Sequence, residues 1–221
     1  MDGEGLTYAI GDIHGCADQL DRLLAEIEVH RAGRPRRIVC LGDYVDRGPD
    51  SARVIATLRA LQEREPGQVT CLKGNHEAML LGALSGADEP LWLFNGGRAV
   101  LASYGVARVD QLPRGDLDWI AALPTLHEDA RRWYVHAGFR PGRPAPDPDP
   151  EQRLWIREPF LSADYDFGKH VVHGHTPLRS GHPDARHHRT NLDTGAVFGG
   201  PLTAGVFTRE QAAAVTFLQV R

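Results

Sequence analysis

The side chains able to do chemistry in this sequence gather in five short segments: Gly11-Asp12-Ile13-His14-Gly15, Gly42-Asp43-Tyr44-Val45-Asp46-Arg47-Gly48, Gly74-Asn75-His76-Glu77, His136-Ala137-Gly138 and His173-Gly174-His175-Thr176. Their carboxylate, amide and imidazole groups are the mixed oxygen and nitrogen donors that suit first-row cations such as Mn²⁺, iron or Zn²⁺. Asp12 and His14 stand two apart, so on an extended stretch both face one way. Asp43 has two oxygens and can bridge two cations, Asn75 offers a neutral carbonyl oxygen, and His136 and His175 offer ring nitrogens. The glycine in each segment lets the backbone turn sharply and approach a ligand closely. One such segment alone reads as an ordinary turn; five, each closing an apolar run, do not. They suit hydrolysis by a water shared between two cations about 3.5–4 Å apart, its pKa lowered and its oxygen in line with a leaving group.

The apolar pattern supplies the elements that must position these groups. Leu6–Ile10, Arg37–Leu41 and Val69–Leu72 read as strands, each running into one of the first three segments. Between them, Leu20, Leu23, Leu24 and Ile27, then Val54, Ile55, Leu58 and Leu61, recur at helical spacing, with Gly33 and Ser51 marking a stop and a start. A third helix begins near Glu77. This β-α-β-α-β order implies parallel strands with right-handed crossovers. Further on, Leu91–Tyr104 is helical but interrupted by Asn95-Gly96-Gly97, and Gly115–Leu123 is a shorter helix. Trp133–Val135 and His170–Val172 read as strands, Pro141–Pro150 as a Pro/Gly/Asp-rich loop, and Ala204–Phe207 with Ala214–Phe217 as a hairpin turning near Arg209-Glu210. Ligand sites in open α/β sheets form at the carboxyl ends of strands, so the five segments converge on one crevice. With no repeat and no linker, residues 1–221 read as a single domain.

Composition narrows the setting. Hydrophobic residues at 42% and charged residues at 24% describe a globular chain rather than a disordered one. A net charge of -4 gives no argument for a nucleic-acid or membrane partner, and no apolar run is long enough to span a bilayer. Met1–Leu6 is not a secretory signal; with three cysteines, Cys16, Cys40 and Cys71, that cannot all pair, the expected location is the cytoplasm. The absence of any Cys-x-x-Cys pair argues against a structural zinc site.

The motifs GDIHG, GDYVDRG and GNHE, in that order and followed by two later histidines, resemble the calcineurin-like metallophosphoesterase superfamily. Within it they are similar to the phosphoprotein phosphatase branch, and especially to its small bacterial and bacteriophage members; symmetrical diadenosine tetraphosphate hydrolases share the same motifs. The resemblance runs from Gly11 to about Ala204. It implies an α/β fold, an αββα sandwich of two mixed sheets flanked by helices, and a centre of two divalent cations, Mn²⁺ first, with iron or Zn²⁺ as alternatives. It further implies that Asp12 and His14 bind the first cation, Asp43 bridges, and Asn75, His136 and His175 complete the second site. His76, held by Asp46, is then the general acid, while Arg47 and an arginine of the Leu154-Trp155-Ile156-Arg157 segment grip the phosphoryl oxygens. Arg157 is favoured there, with Arg153 close by. The implied substrate is a phosphorylated protein, peptide or small molecule, and the implied activity is that of a serine/threonine or dual-specificity protein phosphatase. A symmetrical dinucleoside tetraphosphate hydrolase is the alternative, and a silent phosphate-binding module the remaining one. Pro177 stands where nuclease and phosphodiesterase branches carry a second histidine, which counts against a phosphodiesterase.

Other residues fit quieter roles. His173 is expected to be a bystander to His175, and Asn95-Gly96-Gly97 is either a substrate-side segment or a simple turn. Trp92, Phe94 and Tyr104 read as core, and His182, His187 and His188 as a solvated loop.

Overall fold

The computed structural model describes residues 5–146 and 149–221. Most of the amino-terminal stretch read above for a secretory signal (1–4), and 147–148 of the Pro/Gly/Asp-rich stretch, lie outside the described residues. The chain begins with β1 (Leu6–Ile10), α1 (Ala17–Arg31), β2 (Arg36–Cys40), α2 (Ser51–Arg64), β3 (Val69–Cys71) and α3 (Asn75–Leu84). The helical middle comprises α4 (Glu89–Trp92), α5 (Arg98–Tyr104) and α6 (Arg114–Ala122). Then come β4 (Leu126–Glu128), β5 (Arg132–Val135), α7 (Pro150–Trp155), β6 (His170–His173), β7 (Asp184–Ala185), β8 (Arg189–Asn191), β9 (Leu202–Phe207) and β10 (Thr216–Val220).

Local chemistry explains the opening elements. Leu20, Leu23 and Ile27 form the buried stripe of α1, which stops where Ala32 and Gly33 both take positive φ. In α2 the buried positions are Val54, Ile55, Leu58 and Leu61, and the cap is Asp50, whose carboxylate accepts the Arg53 N–H at 3.2 Å. Strands β1, β2 and β3 are parallel, as the alternation of elements implied, and β9 adds antiparallel to the free side of β1 to give the order β10-β9-β1-β2-β3. A second sheet, β4-β5-β6-β8-β7, has parallel β5, β6 and β8 between antiparallel edges.

The two sheets face each other across Ala9, Val39, Leu41 and Leu72 on one side and Tyr134, Val172 and Leu192 on the other. The opposite face of the first sheet, through Tyr8, Ile10, Ile38 and Cys40, packs on the buried stripes of α1 and α2. The outer face of the second is covered by Phe139, Phe160 and Phe167. The architecture is thus the αββα sandwich. Burial on both faces explains why β1 and β2 read as continuous apolar runs rather than alternating ones.

The departures are instructive. Strands β4, β7 and β8 are too short or too polar to show in the pattern, and β10 starts at Thr216 rather than Ala214. Helix α3 begins at Asn75, so Asn75 and His76 sit in its first turn. Phe94 is not core: it is 89% exposed, whereas Trp92 is fully buried and Tyr104 half-buried. All three cysteines are free. Among the described residues no helix is long and apolar enough to cross a membrane.

Two buried histidines outside the cluster of candidate ligands give this fold a pH signature. Burial pushes the imidazole of His170 down to about 4 and that of His173 down to about 3. Both are neutral in the fold but protonate near pH 6.5 once unfolded, so their contribution is complete above that pH and is lost as pH falls toward 4. The melting temperature should therefore drop between pH 6.5 and 4, each histidine removing up to ~1.4 kcal/mol per pH unit. A shallower profile in a variant carrying His170→Gln and His173→Gln would confirm their share of the drop; an unchanged slope would exclude it.

Candidate metal centre

The carboxyl ends of β1, β2 and β3 meet those of β5 and β6, so the crevice lies across the two sheets rather than within one. Asp43 is at its middle, 2% exposed. Its Oδ2 is 3.4 Å from His14 Nε2, and its Oδ1 is 3.4 Å from His136 Nε2. The two oxygens of one carboxylate thus face two different imidazoles, an arrangement that can serve two cations. Two donor groups overlap at Asp43: His14, Asp43 and His76 on one side, and Asp43, His136 and His175 on the other. Asn75 Oδ1 joins the second, 2.8 Å from His136 Nε2 and 2.9 Å from His175 Nδ1.

Hydrogen bonds on the far side of the rings fix the tautomers. His14 Nδ1 donates to the Val45 carbonyl at 2.8 Å, and His136 Nδ1 to the Leu41 carbonyl at 3.0 Å. Since a carbonyl only accepts, both rings turn Nε2 lone pairs inward, as metal-binding histidines do. His136 Nε2 and Asn75 Oδ1 are then two acceptors in contact. A proton on His136 is a poor remedy, because burial pushes that imidazole down to about 3. A cation between them is the good one. The residues fit such a group.

Asp12 tells the same story from the carboxylate side. Its oxygens each accept the His175 N–H at 3.1 Å, and burial followed by the nearby Asp193 and Asp43 raises its pKa well above the carboxylate range. Asp193 is 3% exposed and is pushed up to about 7, first by burial. Three buried carboxylates with Arg47 as the opposing charge call for divalent cations. Sequence reading missed Asp193; its only signal was Gly195 close behind it, after the unrecognised strand β8.

The backbone is bent to bring these groups together. Among the described residues six non-glycines have positive φ, and five are His14, Asp43, Asp46, Arg47 and His175. Such conformations cost on the order of 1–3 kcal/mol each and persist only where the surroundings enforce them. Glu77 is the chief enforcer. Fully buried, its carboxylate accepts the N–H groups of Gly74, Asp43 and Tyr44, each at 2.8 Å, and of Val45 at 3.3 Å. A Cβ at Gly74 would collide with Asp43, and one at Gly174 with Asp12.

His76 lies beside this group, edge-on to His14. Its Nδ1 is 2.6 Å from Asp46 Oδ2, and Asp46 Oδ1 accepts the Trp92 indole N–H at 2.9 Å. Trp92 therefore does more than fill the core: it fixes the acid that fixes His76. Burial pushes the His76 imidazole down to about 4, against the attraction of Asp43.

Arg47 and Arg157 flank the centre. Arg47 Nη1 reaches His14 Nε2 at 2.7 Å, its guanidinium lies 5.6 Å from the Phe198 ring centroid, and its backbone N–H donates to the Gly96 carbonyl at 3.2 Å. The Asn95-Gly96-Gly97 turn thus supports Arg47: Gly96, at φ 117°, approaches it too closely for a side chain, while Asn95 merely caps the turn through Leu91. Arg157 is exposed and lines a hollow together with His175 and Trp155, whereas Arg153 does not. His173 turns away, its ring on Phe160 and its Nε2 3.4 Å from Arg189 Nη1.

Known proteins resemble this chain over most of its length. The family model of the calcineurin-like phosphoesterases matches residues 6–202. The chain belongs to that family. This calcineurin-like phosphoesterase is 34% identical over 209 residues, 89% of each chain, to serine/threonine-protein phosphatase 1 of Salmonella typhimurium. It is 29% identical over 235 residues, 88% of this chain and 87% of the other, to the asymmetrical bis(5'-nucleosyl)-tetraphosphatase PrpE of Halalkalibacterium halodurans. A solved protein serine/threonine phosphatase from Saccharomyces cerevisiae superposes with a TM-score of 0.69 at 15% identity, covering 99% of this chain and 81% of that one, which is a likeness of fold.

The two faces of Asp43 give a direct test. Asp43→Asn replaces one oxygen by an amide nitrogen, which cannot bind a cation, so bound Mn²⁺ should fall from two equivalents to one or none. Elemental analysis after gel filtration would show it; two retained equivalents would remove Asp43 from the bridging position.

Proposed function

We propose that this phosphoesterase is a Mn²⁺-dependent protein phosphatase acting on phosphoserine and phosphothreonine. The observation that carries the reading is the Asp46-His76 pair set beside a donor cluster flanked by two arginines. A phosphomonoester presents a terminal dianion and a poor alkoxide leaving group, and it needs that combination. Asp12, His14, Asp43, Asn75, His136 and His175 are the residues that would hold two divalent cations. Such a centre supplies a water of lowered pKa and neutralises charge on the phosphoryl oxygens.

The chain's own groups do the rest. Arg47, already directed at His14 Nε2, swings a short distance to grip phosphoryl oxygens, and its planar fork can take two at once. Arg157 approaches from the side of His175. His76 keeps its Nδ1 on Asp46 and so presents Nε2 toward the leaving oxygen. Burial holds its imidazole low in the free protein, and an arriving dianion raises its proton affinity. Pro177, in the place of a second histidine, fits monoesters better than diesters. The similarity to serine/threonine-protein phosphatase 1 supports the protein substrate, and three free thiols fit a cytoplasmic location. The similarity to PrpE favours a second reading, dinucleoside tetraphosphate hydrolysis, which side-by-side kcat/KM values on phosphopeptides and diadenosine tetraphosphate decide.

His76→Asn separates acid chemistry from architecture. Loss of a general acid costs on the order of 10²–10⁴-fold where the leaving group needs a proton. The variant should therefore lose far more kcat on phosphoserine peptides than on p-nitrophenyl phosphate, whose leaving group departs as an anion. Equal losses on both substrates, with two cations retained, would take His76 out of the acid role.

A further inference from the structure

A groove of about 690 Å³ runs away from the metal centre between the segment after β6 and the turn before β9. Its inner end is defined by Thr176, next to His175, by Thr194, next to Asp193, and by Phe198, on which Arg47 stacks. Along it stand Arg157, Arg179 and Arg221, with Pro177 and Leu178 among the apolar lining residues. Among the described residues no aspartate or glutamate side chain lines it.

The groove is distinguished by the grouping of its charge, since arginines without a carboxylate partner occur elsewhere on the chain as well. The protein carries a net charge of -4, and its surface arginines commonly sit on carboxylates: Arg31 and Arg36 on Glu28, Arg53 on Asp18 and Asp21, Arg114 on Asp118. The guanidinium groups of Arg157, Arg179 and Arg221 have no ion pair or hydrogen bond among the described residues. Glu158, the acid nearest in sequence, accepts the Ser162 hydroxyl at 2.6 Å instead. Two unpaired guanidiniums, Arg179 and Arg221, along a groove that begins where Arg157 would hold a phosphoryl group, mark a subsite for additional negative charge on the substrate.

Resting on the protein-phosphatase reading, we infer that this groove binds acidic side chains flanking the phosphorylated residue, so that the preferred substrates are phosphopeptides rich in glutamate or aspartate. An extended peptide leaving the centre along Thr176 and Phe198 brings its flanking residues past Arg179 and Arg221. The open, mixed lining suits side chains of a peptide better than one fixed small molecule.

The test compares a phosphoserine peptide flanked on both sides by glutamates with its glutamine counterpart. Exposed charge pairs are individually weak, so two of them should give the acidic peptide about a three- to tenfold advantage in kcat/KM at low ionic strength. That advantage should shrink at 0.5 M salt, a concentration chosen because screening then acts over about 4 Å. Arg179→Ala with Arg221→Ala should bring the ratio near one, and Arg179→Glu should invert it, while p-nitrophenyl phosphate turnover stays within twofold. Equal rates in the unaltered protein, or a preference that survives the double substitution, would overturn the subsite. Should neither peptide be hydrolysed, the substrate reading fails by itself. The groove is then judged by whether an unphosphorylated glutamate peptide inhibits p-nitrophenyl phosphate turnover more than its glutamine analogue, in a manner lost in the double variant. A raised KM for diadenosine tetraphosphate in that variant, without peptide discrimination, would assign the groove to polyphosphate and overturn the peptide.

Discussion

A carboxylate almost without access to water, with an acceptor nitrogen facing each of its oxygens, is the constraint from which the rest of this structure follows. Asp43 is held there against electrostatics: burial raises its pKa, while His76 and Arg47 oppose the rise. Desolvating a charged group costs several kcal/mol unless cations or hydrogen bonds compensate. The His76 N–H supplies one bond, at 3.0 Å to Oδ1, and the neighbouring backbone is fixed by Glu77 rather than by solvent. Glu77 is itself buried and pushed up to about 8, with four N–H donors pulling the other way. The positive φ values at Asp43, Asp46 and Arg47 are the geometric consequence: the chain turns tightly enough after β2 to aim three candidate site side chains from one loop. The glycines follow too, since Gly74 and Gly174 lie where carboxylate oxygens leave no room for a Cβ.

Much of this was legible in the sequence because the candidate ligand segments carry two signals at once. Strands β1 and β2 are apolar on both faces, and each ends in Gly-Asp, so element and site were marked by the same residues. His136 and His175 were visible for the same reason, at the ends of β5 and β6. Asp193 was not, because β8 reads Arg-Thr-Asn and its burial comes from its neighbours in the sheet rather than from its own side chains. The second sheet itself was suggested by family resemblance and not by periodicity, since β4 and β7 are three and two residues long. Phe94 illustrates the opposite failure. Aromatic residues near helical spacing usually pack inside, but Gly96 breaks the helix there and leaves Phe94 exposed while Trp92, two residues earlier, is buried on Asp46.

Trp92 also shows how a core position can orient a buried polar pair. Its indole N–H needs a partner when buried, and Asp46 needs a donor for the oxygen that His76 does not use. Each satisfies the other, and the pair leaves His76 with one orientation. Gly97 packs against the Trp92 ring so closely that a Cβ would clash, so the same turn that carries Gly96 to Arg47 also seats the indole. One irregular turn between α4 and α5 therefore positions both the arginine and, through Asp46, the imidazole. The ambiguous Asn95-Gly96-Gly97 segment owes its importance to its two glycines, not to its polar side chain.

The two donor groups differ in what they demand of the fold. His14, Asp43 and His76 all come from the first sheet and its loops, whereas the second group adds His136 and His175 from the other sheet. Their contact is specific: His136 Nδ1 donates across to the Leu41 carbonyl after β2, and the His175 N–H donates to Asp12 after β1. These cross-sheet bonds sit at the end of an otherwise apolar layer, in which Val39, Leu41, Val172 and Leu192 interlock without polar register. Hydrophobic contact is non-directional and cannot by itself fix how far one sheet slides on the other. The polar contacts can, because a shift of an ångström would break them and separate His136 from Asn75. A cation in the second position would bind atoms from both sheets at once, so it would tighten the same alignment that creates its site. Site and sandwich are coupled through those few bonds.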